Sequence, residues 1–219
     1  MFLQIVFVAA VAFSGCLVNG QINPTGCTTY DNAVMACNAP LNRTGGAILN
    51  YAAVVGALTT DITPWCGENR ALYRTLIICV VNAYRACGNV DTMKLVAGSG
   101  EYAEAFDTIC NQINDFDVAC VDVASINTCA APKGTAANLT MPTPTASFAM
   151  LKTYYCGVAK YFLECIPSNA ALTGCTAKPR TKDIYFAALE EIKPDECGAM
   201  SVVYTSLLLT VSLLLNYIL

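Results

Sequence analysis

The sequence predicts an all-α fold made of two tandem disulfide-rich helical modules. Three observations point there. Apolar residues recur at helical steps of three and four, strand-type alternation is scarce, and twelve cysteines divide into two similar sets of six.

The clearest periodicity runs from Arg70 to Cys87. Leu72, Leu76, Cys79, Val80, Ala83 and Cys87 share one face, with Arg70, Arg74, Asn82 and Arg85 roughly opposite. Gly88 follows, where helices commonly end. The counterpart in the second half starts at Ser147, whose hydroxyl can accept from an unpaired first-turn amide. Its stripe is Leu151, Tyr155, Val158, Phe162 and Cys165, with Lys152, Lys160 and Glu164 outside. Pro167 stops it, because proline cannot continue the hydrogen-bond ladder.

Three further helices are expected. Ala47 to Leu58 is apolar and alanine-rich. Glu101 to Ile113 carries Tyr102, Phe106, Ile109 and Ile113 at helical steps. Asp183 can cap a helix bearing Tyr185, Leu189 and Ile192, ended by Pro194. Two stretches predict loops: extended chain over Thr140–Thr145, forced by its prolines, and a flexible turn at Ala97-Gly98-Ser99-Gly100.

The two sets of six are Cys27, Cys37, Cys66, Cys79, Cys87 and Cys110, then Cys120, Cys129, Cys156, Cys165, Cys175 and Cys197. Counting intervening residues, the gaps are 9, 28, 12, 7 and 22, then 8, 26, 8, 9 and 21. Local residues recur as well. Cys37-Asn38-Ala39-Pro40 matches Cys129-Ala130-Ala131-Pro132, and Trp65-Cys66-Gly67 matches Tyr155-Cys156-Gly157. Both N-glycosylation sequons, at Asn42 and Asn138, fall in the same long gap; Asn23 is excluded by the proline after it. A fixed order of this kind predicts a structural unit used twice, with three bridges in each copy and none between them. A unit of about 80 residues builds only a marginal core, and each native bridge contributes about 2–4 kcal/mol.

Both termini read as processing signals. Met1–Gly20 is a short apolar run ending in small residues, as in a secretory signal peptide. Cys16 falls inside it. Val202–Leu219 is 18 residues without a charge, preceded by the small residues Cys197, Gly198, Ala199 and Ser201. That is the pattern of a GPI signal, with Gly198 the expected attachment residue. The division is therefore signal peptide 1–20, first module 21–110, joint 111–119, second module 120–198 and removed GPI signal 199–219. The nine-residue joint is short and partly apolar, so the modules are expected to pack together.

The chemistry is defined mostly by what is missing. There is no histidine and no CxxC pair, so imidazole–nucleophile dyads lack their base and zinc clusters lack the usual ligand spacing. No catalytic, cofactor-binding or metal residue is assigned, and no cofactor is expected. A net charge of −4 argues against a nucleic-acid partner. Three acid pairs could support glycoside-type hydrolysis: Asp115 with Asp117, Glu101 with Glu104, and Glu190 with Glu191. Each also has a structural explanation, in a joint, a helix first turn and an exposed helix side. Trp65 is expected to pack beside the Cys66 bridge. The expected function is a non-catalytic, GPI-anchored glycoprotein on the extracellular face of the plasma membrane. Its partners would be the outer leaflet, through the lipid anchor, and an extracellular protein or glycan ligand. The alternatives are a secreted extracellular-matrix or biomineral-matrix component and, more remotely, a carboxylate hydrolase.

Overall fold

The computed structural model describes residues 28–42, 50–87, 93–143 and 146–198. Among these residues every regular element is helical. The helices are α1 (Thr28–Cys37), α2 (Ala39–Asn42), α3 (Tyr51–Thr59), α4 (Arg70–Cys87), α5 (Ser99–Asn111), α6 (Val123–Ala136), α7 (Phe148–Cys165), α8 (Ala170–Thr173) and α9 (Thr181–Glu191). Single 3₁₀ turns occupy Thr63–Trp65, Ile113–Asp115, Val118–Cys120 and Asp195–Cys197. The expected signal peptide, Cys27, Gly88 and the expected GPI signal lie outside the described residues.

The strongest periodicities become the long helices. α4 spans Arg70–Cys87, and α7 starts at its Ser147 cap, where the serine hydroxyl accepts from the Met150 amide. α7 buries Leu151, Tyr155 and Phe162 as expected, and α9 buries Tyr185 and Leu189. The buried stripe of α4 is turned from its expected position. Leu76 and Val80 are inside, but so are Ile77, Val81 and Tyr84, while Leu72 and Ala83 are half-buried. The cause is that α4 packs against α1, α3 and α5 together, which demands a wide apolar face.

Other boundaries are corrected. α3 begins at Tyr51, fixed by Asn50, whose Oδ1 accepts from the Ala53 amide at 2.9 Å. Gly98 is the N-cap of α5, and Ser99 and Gly100 are already helical, so no flexible turn stands there. α9 begins at Thr181, which leaves Asp183 in the first turn instead of at the cap. There its charge favours the helix dipole. Four helices arise where none was expected: α1 and α6, and the single-turn α2 and α8.

The long helices run antiparallel to their neighbours. Cys37 meets Cys79 while Thr29 meets Cys87, so α1 and α4 run in opposite directions. Asp107 and Asn111 of α5 meet Arg70 at the start of α4, whereas Arg85 near its end donates to the Val96 carbonyl that precedes α5. α6 and α7 pair through Cys129–Cys165 and Lys133–Glu164.

The two sequence halves share one core. α9, from the second half, packs chiefly on α5, from the first. One continuous apolar cluster includes Val55, Leu58, Ile77, Phe106 and Ile109 together with Phe162, Ile184, Tyr185 and Leu189. The Tyr185 hydroxyl is fully buried and donates to the Thr59 carbonyl at 2.8 Å. Burial pushes the Tyr185 phenol far above its ordinary value, so it stays a neutral donor. The joint contributes as well: Phe116 is buried, and the Lys178 ammonium donates to the Phe116 carbonyl at 3.0 Å.

Candidate functional site

The cysteines are the densest chemical feature. Five bridges are described: Cys37–Cys79, Cys66–Cys110, Cys120–Cys175, Cys129–Cys165 and Cys156–Cys197. Their Cα separations lie between 5.0 and 5.9 Å, inside the range a disulfide accepts without moving the backbone. Each of the five joins cysteines within one sequence half. Cys87 is also disulfide-bonded. The bridges clamp helix pairs, α1 to α4 and α6 to α7, which are the contacts a small core holds least firmly alone.

The two halves use their cysteines in different helical frames. Cys66 precedes α4, at the close of a 3₁₀ turn, while Cys156 sits inside α7. Pro40 stands in the short α2 after a break at Asn38, whereas Pro132 is carried within α6. Asn38 is wholly buried, and its Nδ2 donates to the Val34 carbonyl at 2.7 Å.

Of the two sequons, Asn138-Leu139-Thr140 is described in full. It closes α6 in a Schellman motif. The Leu139 amide donates to the Gly134 carbonyl at 2.9 Å and the Asn138 amide to the Thr135 carbonyl at 3.0 Å. Asn138 takes a φ of 54°, a left-handed conformation that asparagine tolerates better than most residues. Leu139 folds back against α7 at Gly157, where an added Cβ would come within 2.5 Å of its Cδ1. Asn138 is left exposed, its side chain accessible to a transferase. Asn42 ends α2, and the remainder of its sequon lies outside the described residues. Replacing Asn138 with Gln is expected to lower the mass of the protein by one N-glycan, read by gel mobility before and after glycosidase. An unchanged mobility would show the site to be unused.

The carboxylate candidates separate into two kinds. Asp115 and Asp117 are occupied structurally: Asp115 pairs with Arg180 at 2.9 Å, and Asp117 caps its 3₁₀ turn by accepting from the Ala119 amide. Glu101, Glu104, Glu190 and Glu191 are brought together by the antiparallel packing of α5 on α9. The Glu191 carboxyl is raised above its ordinary value, first by partial burial, then by the charge and hydrogen bond of Glu104 and the charges of Glu101 and Glu190. A carboxyl raised by folding costs stability as pH climbs through its folded value. Glu191→Gln is therefore expected to raise the melting temperature at pH 7. The gain should vanish below the ordinary glutamate value of 4.5, where Glu191 is protonated in both states. Equal gains at both pH values would refute repulsion as the cause.

The arginines of α4 are not a free stripe. Arg70 Nη2 and Arg74 Nε each lie 2.6 Å from an Asp107 carboxylate oxygen, and Arg70 also donates to Asn111 Oδ1. Partial burial tends to raise Asp107, but the hydrogen bonds and charges of Arg74 and Arg70 outweigh it and hold the carboxyl below its usual range. Trp65 stacks on Tyr73, with ring centroids 5.0 Å apart and planes 4° from parallel, and it packs against the core next to bridged Cys66.

One group of metal-ligand type is close-set among the described residues: Asp117, Cys120 and Cys175. Both sulfurs are consumed by their mutual bridge, which leaves Asp117 alone. One buried side-chain atom lacks a hydrogen-bond partner among the described residues, Asn127 Nδ2 on α6. No helix among those residues is long and apolar enough to cross a membrane. No family model, curated protein or solved structure matches the chain.

Proposed function

We propose that the chain is a non-catalytic cell-surface glycoprotein, tethered to the outer leaflet of the plasma membrane by a GPI anchor on Gly198, that serves in adhesion or ligand binding. The observation that carries this reading is the oxidised cysteine framework. Bridges of this density persist in the secretory pathway and outside the cell, where no thiol buffer reduces them. The exposed Asn138 sequon and the uncharged stretch Val202–Leu219 agree with that compartment.

The body is read as a six-cysteine unit used twice. In each half the second cysteine bonds the fourth and the third bonds the sixth. In the second half the first bonds the fifth, Cys120 to Cys175. The fifth of the first half, Cys87, is bonded, and the same order assigns it Cys27. The differing helical frames of Cys66 and Cys156 are then drift between copies that kept their connectivity.

Phosphatidylinositol-specific phospholipase C tests the tether. Treatment of intact cells is expected to release the protein into the medium. Retention on the cells would exclude a GPI anchor. Recovery from the medium without treatment would favour the matrix alternative, for which the surface carboxylates around Glu191 offer cation contacts.

A further inference from the structure

The connection between α6 and α7 has a composition of its own. From Gly134 to Leu151 the chain carries no charged residue, and its middle reads Thr140-Met141-Pro142-Thr143-Pro144-Thr145. Two of the three large apolar side chains that stand exposed among the described residues belong to this stretch, Met141 at 51% and Met150 at 55%. No ionic group is present to hydrate them. Threonine and serine mixed with proline make up the stretches that carry O-linked sugar in secreted chains.

The exposed threonines differ in what they offer an enzyme. Thr75, Thr128, Thr135 and Thr153 lie inside helices, where each hydroxyl donates to the carbonyl four residues back at 2.9 to 3.1 Å. Thr143 is exposed and lies outside any helix. Pro142 has no amide hydrogen to give a ladder, and Pro144 disfavours the helical region for Thr143. A transferase must seat its acceptor as open backbone, and the two prolines keep Thr143 in that form. The loop is also held at its ends. Cys129–Cys165 clamps α6 to α7, Leu139 lies against Gly157, and Ser147 caps α7. Thr140 is exposed as well, but it is committed to the Asn138 sequon.

We propose that Thr143 is an O-glycosylation site, the acceptor of a hexose or N-acetylhexosamine. In the transfer, Thr143 Oγ1 bonds to the anomeric carbon of a phosphate-activated sugar. The bond from that carbon to the phosphate oxygen breaks, the phosphate leaves with its electron pair, and the hydroxyl proton passes to a base of the transferase. The sugar supplies the hydration that the uncharged loop lacks. The inference rests on the secretory reading above.

Trypsin cuts after Lys133 and Lys152, so one cysteine-free peptide, residues 134–152, reports both sugar sites. The full protein, taken from the cells that express it, is alkylated before reduction and digestion. Its N-glycans are removed by the amidase that leaves aspartate in place of a glycosylated asparagine, and the peptide is fragmented by electron transfer. A hexose or N-acetylhexosamine is expected on Thr143. Thr143→Ala is expected to remove that sugar completely and to leave the Asn138 site as it was, because Thr140 is kept. A bare Thr143 in a protein whose cysteines escaped alkylation, or sugar confined to another hydroxyl of the peptide, would overturn the site and spare the compartment. A bare Thr143 together with alkylated cysteines would overturn both.

Discussion

Full reduction with a thiol is expected to unfold the protein at room temperature, seen as loss of far-ultraviolet helical signal, and loss of one bridge to cost about 4 kcal/mol. The size follows from loop closure. The described bridges close loops of 36 to 55 residues, and cross-links of that span remove about 4 kcal/mol of chain entropy from the unfolded state. A domain has only about 5–15 kcal/mol of net stability, so several bridges together exceed it. For a single bridge, Cys129→Ala with Cys165→Ala is the informative pair, because it unclamps α6 from α7 while the rest stay closed. The cost would be read from urea unfolding. A loss under about 1 kcal/mol would mean that the α6–α7 contact stands without its bridge.

Phe106→Ala is expected to destabilise the whole body by about 3–5 kcal/mol. Phe106 is wholly buried on α5, the helix that meets α4 on one side and α9 on the other, with the Arg70 guanidinium 6.0 Å from its ring centre. Truncation there opens a cavity in the apolar cluster common to both halves, where surrounding side chains collapse only in part. Because the core is shared, unfolding of the variant should remain one transition by every probe. Two separated transitions, with the second half unaffected, would show that each half folds on its own core.

Much of the fold was legible because four helices carry strong local patterns. α4, α5, α7 and α9 place large apolar residues at steps of three and four, and their buried residues follow that spacing closely. α1 and α6 escaped for a physical reason. Thr28–Cys37 and Val123–Ala136 mix threonine, asparagine and alanine with few large apolar residues, and Pro132 reads as a breaker. The Cys37–Cys79 and Cys129–Cys165 bridges, instead of a deep apolar stripe, tie both to their partners.

The meeting of α5 with α9 was not legible. Those helices lie some 80 residues apart in sequence, and nothing local states that Glu104 will face Glu191. The partners of the α4 arginines were hidden for the same reason. Arg70 and Arg74 look like a solvated face until α5 brings Asp107 and Asn111 across them. The Asn138 site was legible as a sequon, but its exposure depends on the Schellman closure and on Leu139 turning toward Gly157.

The most direct measurement is mass spectrometry of the protein recovered under non-reducing conditions from the cells that express it, with free thiols alkylated before digestion. No alkylated cysteine is expected among the twelve from Cys27 to Cys197. Every cross-linked peptide should stay within 27–110 or within 120–197, in the order first–fifth, second–fourth, third–sixth. Free thiols at these positions, or a bridge joining the two stretches, would contradict an oxidised framework built twice from the same unit.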